Sequence, residues 1–139
     1  MHKLNELYYR INALYIFYKS SHLLSKSIDF YQNHKLFFEL YEKLDDELDT
    51  LAELTIAVDD NDKNFNAITI FEESAKYATK TSNSFRENVE LAIMQEVEIL
   101  DLIEELQKEK LQVGLFNHIA SISQNHLRNS YLLSRIDEK

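Results

Sequence analysis

A chain of 139 residues with no proline and a single glycine, Gly114, lacks the two residues on which tight turns depend. Hairpins, sandwiches and phosphate loops use glycine where φ must be positive and proline where φ must be fixed. Without them the chain is restricted to long helices joined by short polar connections, and the expected fold class is all-α. A hydrophobic content of 45% is enough for one core. The length suits a single domain over residues 1–139.

Apolar spacing lays out the helices. The first is expected from Lys3 to Leu24, on a stripe of Leu4, Leu7, Tyr8, Ile11, Leu14, Tyr15 and Tyr18 that His22 continues. After a break at "SKSID" (25–29), Asp29 and Gln32 have the spacing of a capping box and open a second helix. It carries Phe37, Leu40, Tyr41, Leu44, Leu48, Leu51 and Val58 to the acidic loop "DDND" (59–62). A short amphipathic piece over 65–78 follows. Ser84 with Glu87 forms a second capping box before a helix through Val89, Ile93, Leu100, Ile103 and Leu106. The chain turns at "LQVG" (111–114), and the last helix uses Leu115, Phe116, Ile119, Ile122, Leu127 and Leu133. Four long helices, with a short extra one in a long crossover between the second and third, make a ferritin-like four-helix bundle.

Composition removes several functions. No cysteine means no disulfide and no thiolate metal site. No apolar run reaches membrane-spanning length and "MHKLNELYYR" is too polar for a secretory segment, so no membrane is expected and a cytoplasmic location is. A net charge of −9 disfavours nucleic acid. The cations Lys3, Arg10, Lys19, Arg128, Arg135 and Lys139 form no cluster, and DNA is not expected as a partner. There is no G-x-S-x-G, no Walker loop and no E-x-x-H, which disfavours a di-iron centre inside one bundle.

Four residues have the chemistry of a metal site: His22, His34, Asp49 and Glu53. Two imidazoles and two carboxylates suit iron, zinc or manganese. Asp49 and Glu53 are four apart, one above the other on a helix, beside the Leu44–Leu48–Leu51 stripe. His34 and Asp49 are 15 residues apart. On a continuous helix that is about 22 Å of rise, so one chain cannot bring both to one ion. His22 and His34 flank the first connection and can meet. A second copy packed antiparallel along the second helix would bring its Asp49 and Glu53 level with His34, making a site duplicated by a two-fold axis.

On these residues the sequence resembles the Dps mini-ferritins. "LNELYYRINALYIFYKSSHL" (4–23) is similar to that family's first helix, and "DTLAELTIAV" (49–58) to its D-x-x-A-E-R segment. His22, His34, Asp49 and Glu53 fall at the family's separations of 12, 15 and 4 residues without a gap. The similarity is close over 4–58 and looser in "LFNHIASISQNHLRNSYLLSRI" (115–136). It implies a hollow homo-oligomer, a dodecamer with a two-fold dimer interface on the second helix. It also implies oxidation of Fe(II) by hydrogen peroxide or oxygen and storage of ferric iron inside. The two histidines of one subunit and the Asp and Glu of its mate would be both the catalytic and the metal-binding residues. Phe38 stands where the family has a further Asp, Leu23 where a Trp follows the first histidine, and Leu54 where an Arg follows the Glu. A customary glycine is missing from "LSKSIDF". These departures motivate a second reading, a ferritin-like structural or interaction assembly with an inactive metal site. A gapped register would instead put Tyr41 at the second histidine and Asp45 at the Asp.

The remaining candidates have ordinary roles. His2, His118 and His126 are expected to be exposed, and Tyr8, Tyr15 and Tyr18 to be core aromatics. Glu90, Glu96, Glu98, Asp101, Glu104 and Glu105 are expected mostly to form a solvated face.

Overall fold

The computed structural model describes residues 2–26, 29–60 and 62–137. Ser27 and Ile28 of the first connection, Asn61 of the acidic loop and Lys139 lie outside them. Six α-helices follow one another: α1 (His2–Leu24), α2 (Phe30–Glu42), α3 (Leu44–Asp59), α4 (Ala67–Ala75), α5 (Phe85–Leu106) and α6 (Val113–Asp137), with a 3-10 turn at Asp62–Phe65. The described residues contain no strand. The fold is all-α, a ferritin-like bundle of α1, α2 with α3, α5 and α6. The short α4 lies in the crossover and packs on α1. No helix of the described residues is long and apolar enough to cross a membrane.

The core is one cluster fed by all four rods. Leu4, Leu7, Ile11 and Leu14 of α1 are fully buried, as the 3-4 spacing requires. Removing such a side chain from water contributes about 1.5–3 kcal/mol each. α1 packs on α2, α3 and α5, while α6 packs on α3 and α5.

Several expectations need correction. The second rod is interrupted at Lys43, so α2 and α3 are separate helices. Lys43 keeps near-helical torsions (φ −81°, ψ −15°). Asp45, Asp46 and Glu47 then occupy the first turn of α3, where the positive helix end favours carboxylates, and this charge run accounts for a new helix start. Burial along the rod still continues through Leu40, Leu44, Leu48 and Leu51, but Thr55 is buried where Val58 was expected; Val58 is exposed. Asp29 makes no capping bond with its side chain.

Ser84 does cap α5, its Oγ accepting from the Glu87 amide at 3.2 Å. The Glu87 carboxylate does not reach back directly. Ser82 bridges instead, its Oγ accepting from the Ser84 amide and donating to Glu87, both at 3.0 Å. Gly114 is not in the turn but in the first turn of α6. The Gln112 side chain accepts there from the amides of Gly114 (2.6 Å) and Leu115 (3.1 Å). A Cβ on Gly114 would stand 3.0 Å from that Oε1, so a larger residue there would press on the end of the capping side chain.

Candidate metal centre and a buried ion triad

His22 sits in the last turn of α1 and His34 in the second turn of α2, and the first connection folds them together. The rings stack with centroids 3.6 Å apart at 25°. Each Nδ1 bonds the backbone carbonyl of the other residue: His22 to His34 at 2.8 Å and His34 to His22 at 2.9 Å. A carbonyl can only accept, so both Nδ1 atoms carry the proton. In the neutral rings this leaves both Nε2 atoms with a free lone pair, the form in which imidazole binds a cation. His22 is buried and His34 half-buried.

Aromatic rings surround the pair. Phe30 stacks on His34 at 4.9 Å, while Phe38 and Tyr41 stand 5.6 and 5.4 Å from His22. Phe38 thus puts an apolar ring beside the imidazoles. Tyr41 in turn meets Tyr15 edge-on at 5.6 Å, and the Tyr15 hydroxyl reaches Asp45 at 3.5 Å.

Asp49 and Glu53 are not part of this cluster. Both are exposed on α3, beyond the Lys43 break. Asp49 lies close enough to Tyr8 to help raise its phenol pKa, after burial, which contributes most. Among the described residues no three His, Asp or Glu side chains of one chain are arranged to hold a metal ion.

The most polar feature of the interior was read wrongly from the sequence. His126 and Glu96, expected at the surface, are both 0% exposed, and Glu47 is 5% exposed. His126 of α6 lies between the two carboxylates. Its Nδ1 donates to Glu96 of α5 at 2.8 Å, and its Nε2 makes a short contact with Glu47 of α3. Tyr18 of α1 donates to Glu96 at 3.0 Å, so all four rods contribute to one network. Asn125 supports Glu47 at 3.2 Å and the His118 ring, only half-buried, reaches the Glu47 backbone carbonyl at 3.3 Å. Tyr18 is therefore a core aromatic with a polar task, whereas Tyr15 is only half-buried.

Burial by itself pushes the His126 imidazolium pKa down. The charge of Glu96 and the hydrogen bonds to both glutamates outweigh it and raise the pKa to about 10. The Tyr18 phenol is pushed well above its usual value, by burial first and by Glu96 second. Because the imidazolium fills the space between the carboxylates, the arrangement is an ion triad and not an ion cage. A sequence signal for it exists. Glu96 lies seven residues after buried Val89, and His126 seven after buried Ile119, so both occupy stripe positions.

No protein-family model matches the chain, and no curated protein does. The fold, however, is similar to a solved structure: the X-ray structure of Dps from Thermosynechococcus elongatus, with a TM-score of 0.87 at 19% identity, covering 99% of this chain and 88% of that one. A stacked histidine pair at the junction of the first two rods therefore sits in a bundle that has the fold of a Dps-type mini-ferritin.

Proposed function

We infer that the protein is an iron-oxidising, iron-storing mini-ferritin, acting as a homo-oligomer, a hollow dodecamer in the cytoplasm, with residues 1–139 as one domain. Fe(II) is the substrate. His22 and His34 of one protomer and Asp49 and Glu53 of its two-fold mate would hold it. Hydrogen peroxide or oxygen takes the electrons. The observation that carries this reading is the mutual Nδ1–carbonyl lock on two stacked rings, which turns both Nε2 atoms away from those bonds and leaves them available as ligands. The exposed Asp49 and Glu53 add the hard, negative oxygens that a ferrous ion needs.

A rapid-mixing assay of Fe(II) with peroxide, followed by ferric absorbance, tests it. Asp49→Ala with Glu53→Ala should slow oxidation by about 10–100-fold, the usual effect of weakening a metal site. Both residues are exposed, so the fold should survive. An unchanged rate in that double variant rejects the site.

The position of Phe38 favours a second reading, a ferritin-like scaffold whose oxidation centre has decayed. Its ring, 5.6 Å from His22, is apolar where a carboxylate would add a ligand. Under this reading wild-type protein oxidises Fe(II) no faster than buffer, and Phe38→Asp restores activity.

A further inference from the structure

A cavity of about 120 Å³ opens where the end of α1 meets the starts of α2 and α5. Ser21, Ser25, Lys26, Asn33, Asn83 and Phe85 are among the residues that line it. Ser21 is 2% exposed, and its hydroxyl is the buried side-chain polar atom that has no hydrogen-bond partner among the described residues. The neighbouring serine behaves differently: Ser25 satisfies itself by donating to the Ser21 carbonyl at 2.7 Å. A buried hydroxyl left unpaired is destabilising, so its place on a cavity wall calls for an occupant.

The chemistry of the wall defines that occupant. Lys26 is the charged residue on it, and no carboxylate lines it. Two acids stand close by without lining it: Glu87, held by Ser82, and Asp29, on an adjoining hollow that shares Asn33 and Phe85 with the cavity. Asn33 belongs to the first turn of α2, a 13-residue helix whose N-cap, Asp29, makes no side-chain capping bond. Phe85 is the first residue of α5. The amides of Asn33 and Glu87 are already bonded, to the Asp29 carbonyl and to Ser84 Oγ, so what the two helix starts offer an anion is the positive end of each dipole. The loop before α5 is held rigid by a reciprocal pair. The Ser82 amide donates to Asn88 Oδ1 at 2.7 Å, and Asn88 Nδ2 donates to the Ser82 carbonyl at 3.0 Å.

We propose that this cavity binds a small oxyanion, one per chain, held by the Ser21 hydroxyl and the Lys26 ammonium between the starts of α2 and α5. The site is separate from the histidine pair and does not depend on iron chemistry.

Inorganic phosphate is the probe, titrated by calorimetry into the full chain at low ionic strength after chelator treatment to remove iron. Saturable binding at one phosphate per chain is expected, together with a phosphate-dependent rise in melting temperature. Ser21→Ala and Lys26→Gln should each weaken binding about tenfold, the value of one charge-assisted hydrogen bond. In phosphate-free buffer Ser21→Ala should melt no lower than wild type, because it removes an unpaired hydroxyl. That control separates lost binding from lost folding. The proposal is overturned if phosphate does not saturate, if both variants bind like wild type, or if water alone fills the cavity in a phosphate-soaked crystal.

Discussion

At the scale of single residues, His126 carries the most weight. Its imidazolium neutralises one of two buried carboxylates and hydrogen-bonds both. Removing one member of a buried ion network strands the others, at a cost of about 3–5 kcal/mol. His126→Ala should lower the unfolding free energy in urea by that amount. Replacing Glu47, Glu96 and His126 together with leucine should cost far less, since a well-packed apolar core avoids desolvating any charge. The pH dependence follows from linkage. With a folded pKa of about 10 against an unfolded value of 6.5, the contribution of His126 is fully present below the unfolded pKa. It falls away as pH rises through about 10, so urea midpoints should drop over that alkaline window. His126→Gln should flatten that part of the profile. Spacing marks His126 as a stripe residue, yet its burial was not legible from α6 alone. A histidine in a stripe is tolerated only if acids on other helices meet it, and that meeting is a tertiary fact. The histidine pair was easier to read: the connection between two adjacent helices brings His22 and His34 together over a separation of 12 residues.

At the scale of elements, helix starts decide how the rods are cut. The Ser84 cap of α5 was legible because its partners are three residues away. The Asp29 cap was not formed, although its spacing was as good, because cap geometry depends on how the chain enters the helix. Ser84→Ala should destabilise the fold by about 1 kcal/mol in chemical denaturation, while Asp29→Ala should change it little. The split at Lys43 was hidden because apolar periodicity runs through it without a change of phase. The break separates α2, which carries His34, from α3, which carries Asp49 and Glu53. It leaves the distance argument intact, since the two stretches still follow one another along a single side of the bundle.

At the scale of the whole molecule, the proposed site belongs to a pair of chains. Ile16, Leu23 and Leu24 of α1 are exposed and border one apolar hollow with Lys19 and Ser20. A continuous apolar patch of this kind supports assembly. Complementation tests the sharing of ligands. A variant lacking both histidines and a variant lacking both Asp49 and Glu53 should each be inactive alone. After dissociation and joint reassembly, random pairing would leave one intact site in half of the two-fold pairs, about a quarter of wild-type activity. Activity no higher than the separate variants would mean that the two sets of ligands are not shared between chains.

The ion triad also has a meaning in time. Glu47 and Glu96 are synthesised before His126, so a growing chain exposes two acids whose counter-charge has not yet left the ribosome. Until the final rod arrives, closing the first three around those acids would trap them dry and alone. Burial of the two acids and docking of α6 are therefore coupled, and the three rods that precede it have no dry, charge-balanced core of their own.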